Sequence, residues 1–324
     1  MEIKIKDNMS QKILVTGGLG YVGGRVSRFL SGKKDVEIII TTRKKRAVFP
    51  KWIKKRNILE VDMSLNSDLY KACEGIDCIV HFAGMNEIEC ARNPEKALEV
   101  NAGNTYRLLQ AAVQQKVKKI IYFSTAHVYG APLCGKITEK TIPRPVHPYA
   151  ITHRVSEDFV LSAHDEGKII GIVLRLSNGF GAPESSDINR WSLLVNDLCH
   201  QIACNGEIIL KSSGLQKRDF ITLLNVCRAL DHFLTIDKDL IKEGLFNLGG
   251  NCSMQIIEMA NLIALRAEKQ LGFRPLILKP MAKEKTFENL EYNIDKITQT
   301  GFDLIDNFKQ EIDDTLLFCK KHFS

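Results

Sequence analysis

Little in this chain suits a membrane, a disulfide scaffold or a nucleic-acid groove. No apolar run approaches the roughly 20 residues of a membrane span, and Met1–Asn8 lacks the apolar centre of a secretory leader. The expectation is a cytoplasmic protein with no membrane partner. The nine cysteines, at 73, 78, 90, 134, 199, 204, 227, 252 and 319, include no CxxC and no paired metal spacing. An odd, unpatterned set reads as free thiols, with no metal site. Aromatic residues are 7% of the chain and are not interleaved with its basic residues, so no nucleic-acid partner is expected. Linkers, repeats and low-complexity tracts are lacking too.

What is present suits a globular protein. The chain has 324 residues, 44% hydrophobic and 26% charged, enough for one large domain or two modest ones. The net charge of +7 owes much to Lys44, Lys45, Arg46, Lys51, Lys54, Lys55 and Arg56, most of which read as a solvated loop. Apolar strand-like runs recur at Ile13–Thr16, Val36–Ile40, Ile58–Val61, Ile76–Phe82, Lys119–Ser124 and Ile169–Leu174. Helical patterns lie between and beyond them, at Val22–Leu30, Pro94–Gln114, Tyr149–His164, Trp191–Asn205, Leu223–Thr235 and Asn307–Lys320. Such alternation predicts an α/β fold, a doubly wound parallel sheet.

The first strand runs into Thr16-Gly17-Gly18-Leu19-Gly20-Tyr21-Val22-Gly23. Gly17 suits a tight turn and Gly20 a close backbone approach to a pyrophosphate. Gly23 lets the next helix pack closely on the sheet, with the phosphates at its positive N-terminus. A strand, this loop, a helix and a second strand form the βαβ unit of dinucleotide binding. In NAD-users a carboxylate ends the second strand; here Thr41, Thr42 and Arg43 stand there. Arg43, Lys44 and Arg46 suit a 2′-phosphate, so NADP is expected over NAD.

Taken in order, these segments resemble the extended short-chain dehydrogenase/reductase family, the nucleotide-sugar epimerases, dehydratases and reductases, over nearly the whole length. Further matches are Val61-Asp62-Met63, His81-Phe82-Ala83-Gly84, Asn101, Ser124-Thr125-Ala126-His127-Val128-Tyr129-Gly130, Arg175-Leu176-Ser177-Asn178-Gly179-Phe180-Gly181, Arg218-Asp219-Phe220 and Phe246-Asn247-Leu248-Gly249. The resemblance implies a Rossmann-type sheet with a smaller C-terminal substrate-binding lobe, divided as 1–175 and 176–324, the lobe partly interleaved with the sheet. It implies cofactor contacts at Gly17, Gly20, Tyr21, Val22, Gly23, Arg43, Asp62, Met63, Phe82, Ala83, Gly84, Asn101, Tyr149 and His153. Substrate contacts fall on Met85, Thr125, His127, Tyr149, Asn178 and Arg218. A nucleotide-sugar substrate and a homodimer, through the helices at Pro94–Gln114 and Tyr149–His164, are implied as well.

The chemistry implied is hydride exchange between nicotinamide and a sugar carbon, with Tyr149 as acid/base and Thr125 bonding the same sugar oxygen. The family carries a lysine four residues after the tyrosine, which grips the nicotinamide ribose and lowers the tyrosine pKa. Here that residue is His153. Its neutral imidazole still suits a hydrogen bond to the ribose, with less electrostatic help. Its protonated form, favoured by the nearby phenolate and cofactor phosphates, suits the cation's place. Arg154 should point to solvent or an acidic neighbour. Dehydratases place Asp-Glu after the catalytic threonine, whereas this chain has Ala126-His127, which disfavours 4,6-dehydration. The expected function is an NAD(P)-dependent nucleotide-sugar reductase, C4 epimerase or dehydrogenase. The alternative, motivated by His153, is a catalytically degenerate NADP(H)-binding sensor.

Overall fold

The structure is a computed structural model and describes residues 10–43, 49–280 and 288–324. The expectations placed on Met1–Asn8, Lys44 and Arg46 lie outside the described residues.

The chain begins β1 (Gln11–Thr16), α1 (Tyr21–Ser31), β2 (Val36–Thr42), β3 (Ile58–Glu60), α2 (Asn66–Cys73) and β4 (Cys78–His81). It continues α3 (Glu87–Arg92), α4 (Pro94–Ala97), α5 (Asn104–Gln114), β5 (Lys119–Thr125), β6 (Gly135–Ile137), α6 (Pro148–Asp165) and β7 (Ile170–Leu176). Next come β8 (Asn178–Phe180), α7 (Leu194–Asn205), β9 (Glu207–Ile209), β10 (Lys217–Thr222), α8 (Leu223–Thr235), α9 (Lys238–Ile241) and β11 (Leu245–Leu248). The last elements are β12 (Ser253–Gln255), α10 (Ile256–Leu271), β13 (Leu276–Leu278), β14 (Leu290–Tyr292), α11 (Asp295–Thr298) and α12 (Phe308–Phe323).

By compactness there are two units. One is Met1–Phe123 with His147–Val173 and Ile241–Gly244; the other is Ser124–Val146 with Leu174–Leu240 and Leu245–Ser324. The cut expected after residue 175 lies beside the crossing at 173/174, and Ser124–Val146 joins the second unit ahead of it.

The main sheet has seven strands in the order β11-β7-β5-β4-β1-β2-β3. The pairs β1–β2, β1–β4, β2–β3 and β4–β5 are parallel. Burial explains its strands: Ile13, Leu14 and Val15 of β1, and Ile79 and Val80 of β4, are all fully buried. A strand covered on both faces reads as a continuous apolar run. The chain leaves β1 toward β2 and β3 and then returns to β4 on β1's other side. The strand order reverses between β1 and β4, the crevice where such sheets take ligands.

The helix expected over Pro94–Gln114 is interrupted. One π-helical turn, Leu98–Gly103, separates α4 from α5. The Asn101 carbonyl in that turn accepts from the hydroxyls of Thr105 and Ser156 (2.5 and 3.1 Å), so side chains replace part of the regular ladder. In the second unit, β10 pairs with β8 and β12, and Phe180, Leu198, Ile202, Phe220, Met259, Ile263 and Leu316 are buried in one cluster. Among the described residues no helix is long and apolar enough to cross a membrane, and no three His, Cys, Asp or Glu side chains are placed to hold a metal ion. All nine cysteines are free thiols.

Candidate active site

The turn after β1 is built for a ligand's phosphates. Gly17 has φ of +68°, and a Cβ there would press on the backbone of Phe82 and Ala83. A Cβ on Gly23 would fall on the Gly17 carbonyl oxygen, so only glycine lets α1 start this close to β1. Gly20 caps α1 with no side-chain hydrogen bond, and the first turn holds no acidic residue. The Gly20 amide itself donates to the Gly17 carbonyl (2.8 Å), and the positive dipole end of α1 suits an anion. Tyr21 is buried and Val22 half-buried at that end.

The segment after β4 closes this half of the site. Ala83 N donates to Thr16 Oγ1 (3.3 Å), and the Phe82 ring lies 4.2 Å from that of Phe123. Gly84 is exposed; a Cβ there would crowd the Asn101 carboxamide. Asn101 is buried, and its Oδ1 accepts from Met85 N (2.7 Å) while Nδ2 donates to Thr152 Oγ1 (3.0 Å). Both ends of its amide are engaged inside the protein, so Asn101 braces the Met85 turn against α6. Asp62 is exposed, its carboxyl held below the usual range by the hydroxyl and amide of Ser64; Met63 beside it is buried. Arg43 follows β2 directly and is exposed, with no carboxylate at the strand end.

Tyr149 and His153 lie one turn apart on α6, their rings 4.4 Å apart and edge-on. Tyr149 is half-buried. His153 is buried, and its Nδ1 lies 2.6 Å from the Tyr122 hydroxyl on β5. Burial pushes the imidazole down to about 3; the His81 charge works in the same direction and Glu87 opposes it. The protein groups around the ring therefore do not favour the imidazolium expected at position 153: the cost of charging a buried ring exceeds the help of Glu87. Arg154, next along the helix, pairs with Glu157 (3.2 Å) and Asp158 (2.5 Å), as its angular position required.

His81 is a second buried imidazole, pushed by burial to about 4. Thr16 Oγ1 accepts from Ala83 N and gives its hydrogen to His81 Nδ1 (2.5 Å), and His81 Nε2 then donates to Thr105 Oγ1 (2.9 Å). Thr105 passes its hydrogen to the Asn101 carbonyl. One ordered chain of hydrogen bonds so ties β1, β4, α5 and the π turn together. Tyr122, Thr152 and His81 were missed as functional residues by sequence reasoning. The available signal for Tyr122 was a phenol set among the apolar Ile120, Ile121 and Phe123 of β5.

The second unit holds the remaining candidates. Thr125 ends β5 and is buried, and its Oγ1 accepts from His127 N (3.2 Å). One lone pair is taken while, among the described residues, the hydroxyl hydrogen has no acceptor. His127 is exposed on the turn that Thr125 caps. Asn178 donates from Nδ2 to the Asp219 carbonyl oxygen (2.8 Å), which leaves its Oδ1 as the acceptor on offer. Arg218 is half-buried, its guanidinium pKa lowered by burial, and no carboxylate pairs with it among the described residues. The neighbouring Asp219 does not serve: it accepts from Ser177 Oγ (2.6 Å) and from the amides of Gly250 and Cys252 (both 2.9 Å). An arginine withdrawn from water with no partner acid suits an anionic ligand.

Comparison with known proteins agrees with this layout. The model of the NAD dependent epimerase/dehydratase family matches residues 13–249. A UDP-glucose 4-epimerase of Lactobacillus helveticus is 29% identical over 273 residues, 78% of this chain and 81% of that protein. A dTDP-D-glucose 4,6-dehydratase of Homo sapiens is 27% identical over 270 residues, 78% of this chain and 72% of that one. Among solved structures, RMD from Pseudomonas aeruginosa complexed with NADPH superposes with a TM-score of 0.77 at 21% identity, covering 97% of this chain and 98% of that one.

Proposed function

Because the chain belongs to the NAD dependent epimerase/dehydratase family, we propose that it is an enzyme that binds NAD(P) through its first unit and interconverts hydroxyl and ketone on a nucleotide-linked sugar. The observation that carries the reading is the uncapped, glycine-only start of α1 at the point where strand order reverses. When bound, the nicotinamide supplies the site that accepts and returns a hydride.

The protein's own residues do the rest. The first-turn amides of α1 that follow Gly20 hold the diphosphate, and the Phe82–Gly84 segment, braced by Asn101, forms the floor. Asp62 and Met63 take the adenine. Arg43, with no carboxylate in that place, favours the 2′-phosphate of NADP. Tyr149 takes the hydroxyl proton of the sugar during oxidation and returns it during reduction. Thr125 gives its free hydroxyl hydrogen to a substrate oxygen, and Arg218 and Asn178 hold the nucleotide diphosphate and its ribose. His127 and Met85 complete the substrate contacts. Ala126-His127 in place of an acid pair leaves at most one side chain for the two proton transfers of 4,6-dehydration, which favours a 4-keto reductase, C4 epimerase or dehydrogenase.

We also propose a cytoplasmic homodimer. Leu98 and Tyr106 around the π turn and α5, with Ile151 and Phe159 on α6, are exposed at 53, 43, 43 and 36%. A second copy covering them accounts for that exposure, and sedimentation velocity of wild type against Tyr106→Glu tests it.

The deciding experiment incubates the purified protein with NADP(H) or NAD(H) and UDP-, dTDP-, GDP- and CDP-sugars, following nicotinamide absorbance and product chromatography. Net cofactor turnover supports a reductase or dehydrogenase, and sugar conversion without it an epimerase. Tight cofactor binding with no sugar conversion across the panel would favour the sensor and overturn the enzyme reading.

A further inference from the structure

We propose that the segment 142–146 is a docking strip for an extended acidic segment of another protein. That segment sets two apolar side chains against Ile142 and Val146, and a carboxylate against Arg144 between them. The strip lies wholly within the second unit, and the proposal stands apart from the cofactor and sugar readings above.

The sequence makes this stretch stiff. Ile142-Pro143-Arg144-Pro145-Val146-His147-Pro148 alternates or nearly alternates proline with other residues. Each proline ring fixes its own φ and bars the preceding residue from the helical region, so Ile142, Arg144 and His147 are held extended. His147 shows it, with φ of −114° and ψ of 140°. The stretch runs from the turn in which Thr141 N donates to the Thr138 carbonyl (3.0 Å) to the start of α6. Alternate residues of an extended chain share a face. Here Ile142, Arg144 and Val146 are exposed, while Pro143 and Pro145 are half-buried.

That outer face is unusually apolar for one in water. Ile142 is 85% exposed and Val146 62%. A single exposed aliphatic side chain is ordinary; two on one face of a stiff chain mark a contact surface. Among the described residues, no hydrogen bond or ion pair involves any residue from Ile142 to Val146. The strip is therefore held by its prolines, and a row already ordered loses little entropy on binding.

Charge and spacing select the occupant. Arg144 has no carboxylate partner among the described residues, and neither has Lys140, exposed in the turn just before it. At about 3.3 Å per residue, Ile142 and Val146 lie about 13 Å apart with Arg144 midway. A second copy fits badly. A two-fold contact centred on the strip would set Arg144 and Lys140 against the same cations of the other copy. An acidic segment answers the cationic centre as well as the apolar ends, and the net charge of +7 favours its approach.

The test screens the full chain against a displayed library of random 12-residue peptides, with the double variant Ile142→Ser, Val146→Ser as counter-selection. Circular dichroism and thermal unfolding check that each variant keeps the wild-type fold. Enriched peptides should carry Asp or Glu with an apolar residue two positions to either side. The best of them, made synthetically, should bind the double variant at least about tenfold more weakly. Arg144→Glu should weaken binding about tenfold, and Lys in place of the peptide's acid should restore it. Should the double variant fail to fold, this charge exchange decides alone. No enrichment, enrichment without the pattern, or equal binding to all folded variants would overturn the proposal. So would self-association of wild type that Arg144→Glu abolishes, or binding to phosphatidylserine vesicles through the same three residues with no peptide enriched.

Discussion

Burial acts on the functional polar groups of the two units in different ways. In the first, it pushes His81 to about 4 and His153 to about 3, and both imidazoles are members of hydrogen-bonded pairs. In the second, it raises the Asp219 carboxyl against three opposing hydrogen bonds and leaves Arg218 a cation with no acid beside it among the described residues. A proton is moved most easily where fixed charges are few and donors are oriented. An anion is held where a cation has been withdrawn from water. That difference matches the roles proposed for Tyr149 in the first unit and for Arg218 in the second.

The sharpest way to break that contrast is Tyr149→Phe, which removes the one proposed proton carrier. Turnover should drop about 100- to 10,000-fold with cofactor affinity little changed. Steady-state kinetics beside NADPH titration measures it, and a modest loss would move proton transfer to another group.

Acid should separate the units next. His81 and His153 have ordinary values of 6.5 and folded values well below it. Between those limits the unfolded chain binds protons that the folded chain refuses, so stability is full above about pH 6.5 and falls as pH drops. Near pH 5 each withheld proton costs about 2 kcal/mol. Asp219 has the opposite sign: its raised value means stability present below 3.8 and lost as pH rises through the folded value. It adds nothing to acid lability. Denaturant unfolding of wild type and of His81→Gln at pH 7.5 and pH 5 tests this, the variant showing a shallower loss.

A comparable effect is expected from Arg218→Ala on substrate alone. Losing a charge-assisted bond costs about 1.5–3 kcal/mol, so KM for the nucleotide-sugar should rise about 10- to 150-fold with NADPH affinity unchanged. Equal losses on both ligands would end the division of labour. The smallest effect falls at Arg43, which is exposed. Arg43→Ala should weaken NADP binding by about 1 kcal/mol and leave NAD unaffected, as calorimetry with both cofactors would show.

Much of the first unit could be read along the chain because its signals are local. The alternation of apolar runs located β1, β2, β5 and β7, and Leu223–Thr235 matched α8 at both ends. The spacing of Gly17, Gly20 and Gly23 identified the turn, since Gly20 and Gly23 answer steric demands set by Gly17 itself, a few residues away, while the neighbours that confine Gly17 come from the distant Phe82–Ala83 backbone. Asn101 could be located but not its work. Its neighbours Met85 and Thr152 are 16 and 51 residues away, and only the packed helices bring them within reach.

The clearest limit is His153. Its identity, its place one turn after Tyr149 and its difference from a lysine are all facts of sequence. Its charge is not, because protonation depends on how much water the ring loses and which group meets Nδ1. Both were decided when β5 brought Tyr122 under α6. Arg218 teaches the same lesson in the other unit. The sequence placed a cation beside Asp219, and only tertiary structure spent that carboxylate on Ser177, Gly250 and Cys252. Local spacing determines which groups are available. Desolvation and long-range hydrogen bonds, which belong to the folded arrangement, decide which state each one holds.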